Sequence, residues 1–113
     1  MTNDPTVEEL VEQCADVFKS SKEYDKEADL NKEDCKKVLL ITDKILDKNP
    51  HNGRGLGMRA MVYDTLQRTD EAIACLEKIL MPEAKANSVL RRRSMIYLAV
   101  LKGWPTEDMS VFD

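Results

Sequence analysis

Apolar residues recur every three to four positions along most of this chain, which is the spacing of amphipathic helices. Val7, Leu10, Cys14, Val17 and Phe18 form the first stripe and leave an acidic outer face. Thr6 ahead of them and Glu9 make a capping box, so a helix is predicted over about 6–20. Residues 19–29 have no period and mix charges freely, so they read as a loop or as a charged extension of either neighbouring helix. A second stripe holds Cys35, Val38, Leu39, Thr42, Ile45 and Leu46, with Asn31 as cap and Asp34 in the first turn. It ends at Asn49 and Pro50, because the residue before a proline is pushed out of the α region.

The third predicted helix is capped by Asn52 and carries Leu56, Ala60, Tyr63 and Leu66. The fourth follows a turn at 67–70, where Thr69 or Asp70 is the expected cap, and carries Ala72, Leu76, Ile79 and Leu80. Pro82 cannot continue that ladder but fits the first turn of a fifth helix. The fifth carries Leu90, Tyr97 and Leu101, runs to about residue 102, and stops at Gly103. Thr106 could cap a short final turn through Met109 and Phe112. An all-α domain of about five helices plus a short C-terminal turn is the expectation.

These helices repeat. A shift of 34 residues takes Leu56 to Leu90, Ala60 to Ser94, Tyr63 to Tyr97 and Leu66 to Val100. The same shift backwards takes Ala72 to Val38, Leu76 to Thr42 and Ile79 to Ile45. Size classes coincide as well as hydrophobicity: a large residue at Leu56, a small one at Ala60, an aromatic at Tyr63, a small one at Ala72 and a large one at Leu76. In these positions, and in Pro50 before the complete unit, residues 31–101 resemble the tetratricopeptide repeat family, whose period is 34 residues. The resemblance implies antiparallel helix-turn-helix repeats stacked as a short α-solenoid, since one pair cannot bury its face alone. It divides the chain into a tail (1–5), an irregular first repeat (6–50), a complete repeat (53–82) and a partial repeat with a C-terminal cap (83–113). The last unit lacks most of a second helix, which fits either a half-repeat cap or a piece of a longer repeat protein. Arg59 and Arg93, one period apart, replace apolar residues of the family pattern. Either their stems lie along the core while their heads find a carboxylate or water, or they are anion contacts repeated once per unit.

Composition narrows the function classes. No apolar run reaches the length of a membrane span, and the first thirty residues are polar and acidic rather than leader-like, so a cytoplasmic protein is the expectation. Cys14, Cys35 and Cys75 are odd in number, widely spaced and without a CxxC pair, which fits reduced, buried thiols rather than disulfides or zinc ligands. The net charge of −4 argues against nucleic-acid binding, which depends on neutralising phosphates. That charge is uneven: residues 1–50 hold 13 acids and 8 lysines, whereas residues 51–113 hold 8 acids and 9 bases, six of them arginine.

Catalysis has little to work with. His51 is the only histidine and sits in a turn, so no triad or metal cluster can be drawn around it. The glycines at 53, 55 and 57 lack the preceding strand and the Lys-Ser/Thr of a phosphate loop. Gly57 within a helix costs about 1 kcal/mol relative to Ala, and close helix contact or a partner's backbone would be a reason to keep it. No enzyme activity, cofactor or metal is expected. The better candidate is a surface. Opposite the packing stripe, at about 140–200° from Leu56, lie Arg54, Met58, Met61 and Thr65, and the matching sector of the last helix holds Ser88, Arg92, Met95 and Ala99.

In tetratricopeptide proteins this sector lines the groove that receives a peptide. The resemblance therefore implies a protein–protein interaction scaffold or adaptor, with Met and Arg side chains suited to a partner segment carrying apolar and acidic residues. The alternatives are a solvated or internally covered face, and a structural solenoid segment that self-associates through its C-terminal edge. Family members that bind chaperone tails clamp carboxylates with Lys, Asn and Arg on successive first helices. Here Arg92 stands at a matching place, Met58 replaces the Asn and Ser88 a Lys, so that clamp is not carried over. If Ala60 and Ala72 let the helices close on Leu76, Leu76→Ala costs about 2–5 kcal/mol in chemical denaturation. An unchanged midpoint would contradict the repeat assignment.

Overall fold

The computed structural model describes residues 5–24 and 31–104, and among these every regular element is a helix. The elements are α1 (Val7–Tyr24), α2 (Lys32–Lys48), α3 (Gly53–Thr65), α4 (Thr69–Ile79), a 3₁₀ turn (Pro82–Ala84) and α5 (Ser88–Lys102). The first helix runs past its expected end at 20, so the charged extension is the better reading of 20–24. Residues 25–30, and the turn expected around Thr106, Met109 and Phe112, lie outside the described residues.

Most ends derive from short-range chemistry. Thr6 Oγ1 accepts from the Glu9 amide at 3.2 Å, and Glu9 reaches back to the Thr6 amide, which completes the capping box. Asn31, Asn52 and Asn87 each accept a hydrogen bond from the amide three residues on, all at 2.8 Å. Gly103 closes α5 in the left-handed region, as expected.

Two ends differ from expectation. Neither Thr69 nor Asp70 caps α4. Gln67 adopts φ +60°, the Arg68 amide donates to the Tyr63 carbonyl at 2.8 Å and the Gln67 amide to Asp64, and the chain re-enters a helix at once. That turn leaves no extended residue to present a side-chain cap, and Thr69 becomes the first helical residue. Pro82 does not open α5. It starts the 3₁₀ turn, which ends at Lys85 in the left-handed region, and α5 begins only after the Asn87 cap.

Each helix packs on the next in sequence, and α1 also reaches α3. The core has two parts. Leu10, Val11, Cys14, Cys35, Val38, Ile45 and Val62 form one, and Leu56, Ala60, Cys75, Leu76, Ile79 and Leu98 the other. The third helix contributes to both. Its Val62 faces α1 and α2 while Leu56 and Ala60 face α4 and α5, so it is enclosed on most of its circumference. The fold is therefore a short stack of helix hairpins threaded through α3.

The conformation at Gln67 is strained for a residue with a Cβ. Gln67→Gly is expected to raise stability by about 1 kcal/mol, measured by urea denaturation. A loss of stability would mean that the turn is held by the glutamine side chain instead.

Candidate interaction surface

Arg59 sits between α2 and α3 with its side chain 18% exposed. Its Nη1 donates to the Leu39 carbonyl (3.2 Å), Thr42 Oγ1 (3.0 Å) and Asp43 Oδ1 (2.6 Å), and its Nη2 donates to the Tyr63 hydroxyl (3.0 Å). The guanidinium also lies 5.4 Å from the Tyr63 ring centre, and Arg68 approaches the same ring at 5.1 Å. Thr42 is itself fully buried, its hydroxyl donating to the Leu39 carbonyl. The stem-along-the-core reading of Arg59 is therefore the one that fits.

Arg93, one period later, is exposed. The difference lies in what faces it. A shift of 34 residues puts Leu76 where Thr42 stands and Glu77 where Asp43 stands, and Lys102 lies 3.8 Å from Glu77. The hydroxyl of the Arg59 seat has no counterpart on α4. The fifth helix docks instead through Leu90, Ser94, Tyr97, Leu98 and Leu101, and the Tyr97 hydroxyl donates to Asp64 Oδ2 at 2.7 Å.

This changes which of the anticipated groove residues come together. On α3, Arg54 and Met61 are exposed, as the helical wheel places them. Met58 is half-buried and packs on the α1–α2 core, because α3 touches α1 on that side. Thr65 is half-buried, and its hydroxyl donates to the Met61 carbonyl at 3.0 Å. On α5, Ser88, Arg92 and Met95 gather with Arg91 around a shallow cleft of about 200 Å³. Ala99, expected in the open sector, is fully buried.

A second cleft of about 230 Å³ joins the two helices. Gly57 and Met61 of α3, Leu76 of α4, and Leu90, Arg93 and Tyr97 of α5 line it. Sequence reasoning places Leu90 and Tyr97 in the packing stripe and so does not count them as lining. A signal for Arg93 is present in the sequence, as an arginine at an apolar position of the repeat. Gly57 is not held by close helix contact, since a Cβ there would meet nothing nearer than Ile79 Cδ1 at 4.0 Å. At Gly55 the contact is tight, because a Cβ would lie 2.8 Å from Ile45 Cγ2.

The buried thiols are poor nucleophiles. Burial pushes Cys14 from 9.0 up to about 11. Burial also raises Cys75, opposed by the charges of Arg59 and Lys78. Among the described residues no group of three His, Cys, Asp or Glu side chains could hold a metal ion. No described helix is long and apolar enough to cross a membrane.

Taken together, the described residues define an all-α stack of helix hairpins with two clefts along its third and fifth helices. Comparison of the chain with protein families, curated proteins and solved structures returns no match.

Removing the Arg59 head takes from buried Thr42 the donor to its hydroxyl oxygen and leaves it the Leu39 carbonyl alone. Arg59→Ala is expected to cost about 1.5–3 kcal/mol in denaturant unfolding. Asp43 is largely exposed, so Asp43→Asn should cost less than about 1 kcal/mol. Equal effects from the two variants would show that the ion pair, not the buried clasp, holds the seam.

Proposed function

We propose that this chain is a non-enzymatic protein–protein interaction scaffold of the tetratricopeptide kind, an adaptor that receives a segment of another polypeptide along its third and fifth helices. One observation carries this reading. The third helix is packed on most sides, and the sector it leaves open holds Arg54 and Met61, with Met61 44% exposed at the rim of the cleft shared with α5. A long, unbranched thioether can adapt to differently shaped apolar side chains, and neighbouring guanidiniums recognise carboxylates. Arg54, Arg92 and Arg93 all lie exposed on these two helices. Ser88, Arg92 and Met95 line a separate cleft on α5, while Met58 and Thr65 contribute mainly to packing. The ligand chemistry that fits is an extended or helical segment in which apolar and acidic residues alternate.

A displayed library of short peptides panned against the whole chain tests this reading. Enriched peptides are expected to combine Leu, Ile or Phe with Asp or Glu. Met61→Glu and Arg92→Ala are each expected to weaken their binding by about tenfold or more, roughly 1.4 kcal/mol, with helical content unchanged by circular dichroism. Binding that is indifferent to both substitutions would overturn the placement.

A further inference from the structure

A different face of α5 is bare. Val89, Arg93, Ile96 and Val100 succeed one another at intervals that lay them along one side of the helix, within an arc of about 60°. Val89 is 60% exposed and Val100 57% exposed. Arg93 is exposed and Ile96 half-buried. A single exposed valine means little, but here three β-branched residues share one side over three turns, with Arg93 among them.

The same positions one period earlier show what such a face does. They are Gly55, Arg59, Val62 and Leu66, and all four are engaged with the α1–α2 pair. Gly55 lets Ile45 come close, Arg59 is clasped by α2, and Val62 and Leu66 belong to the α1–α2 core. This side of α3 therefore receives a helix, and it takes a carboxylate at its arginine. On α5 the equivalent side is exposed because that helix docks through Leu90, Ser94, Tyr97 and Leu98 instead.

Charge selects the occupant. Arg93 is the basic residue on this face, and the helix has no acidic residue from Ser88 to Lys102. A second copy presenting the same face would set arginine against arginine. The chain's own helix of matching pattern, α2, is already engaged by α3. We propose that the Val89, Ile96 and Val100 face of α5 docks an acidic amphipathic helix of another polypeptide, with its apolar stripe on these three residues and a carboxylate on Arg93. Arg93 also lines the Met61 cleft, whereas Val89, Ile96 and Val100 line neither cleft, so these three residues tell the two sites apart.

The test uses the full chain and a synthetic helical peptide of about 18 residues, long enough to hold a helix. Leucines form one face of the peptide and glutamates the flanks, and a control carries lysine for every glutamate. Methyl resonances of the chain report the contact. The glutamate peptide is expected to shift Val89, Ile96 and Val100 saturably, at roughly micromolar to tens of micromolar concentrations for so small a face. The lysine peptide is expected to bind at least tenfold more weakly, and Val89→Glu with Val100→Glu to abolish the response. Should that variant misfold, a spin label on the peptide must broaden Val100 in the unaltered chain. Three results overturn the proposal: an equal response to the lysine peptide, shifts confined to the Met61 and Met95 methyls, or shifts at Val89 and Val100 that grow with chain concentration in the absence of peptide. The second would locate binding in the groove, and the third would assign the face to a second copy.

Discussion

The seat of Arg59 between α2 and α3 is the constraint on which the rest of the structure depends. An arginine side chain only 18% exposed is tolerable only if its donors are met. They are met by a carbonyl, a buried hydroxyl and a carboxylate that lie close together on α2, and by the Tyr63 hydroxyl one turn along α3. Rotating or sliding α3 against α2 would strand several of these groups at once. The register between the two halves of the core is fixed in consequence, and Gly55 admits Ile45 only in that register. Once α3 is held this way, its remaining open sector is the one that carries Arg54 and Met61.

The fifth helix shows the consequence of repeating that arrangement only in part. It has the arginine but faces Leu76 where Arg59 faces Thr42. An arginine head set against a leucine side chain would gain no hydrogen bond, so it remains in solvent while the smaller and more apolar stripe through Ser94 and Leu98 docks. Both clefts and the bare valine face are products of that choice. The surface features of this protein thus derive from a difference between two repeats rather than from their likeness.

The legibility of this structure in its sequence differs from residue to residue. Helix number, the Asn31, Asn52 and Gly103 ends, and the core positions at Leu56, Ala60, Ala72, Leu76 and Ile79 can all be read from periodicity and capping chemistry. The Gln67 turn cannot, because a glutamine gives no sign of a left-handed conformation. The start of α5 is misplaced by sequence because Pro82 is a general helix opener, whereas the Asn87 cap competes with it locally. The face of α5 is misjudged for a deeper reason. Helical-wheel angles carried over from α3 assume that both first helices dock alike, and that holds only if the acceptors on the preceding helix repeat as well. Ala99 and Val100 exchange places with respect to solvent as a result.

Native-state hydrogen exchange of the backbone amides tests most directly whether α3 unites the stack. If α3 and its Arg59 seat join the two halves of the core, amides of α2, α3 and α4 should open together in the slowest, globally limited class. The terminal helices α1 and α5 are then expected to exchange faster. Separate protection limits for the α1–α2 pair and the α3–α4 pair would contradict the account, because they would show two hairpins that merely touch.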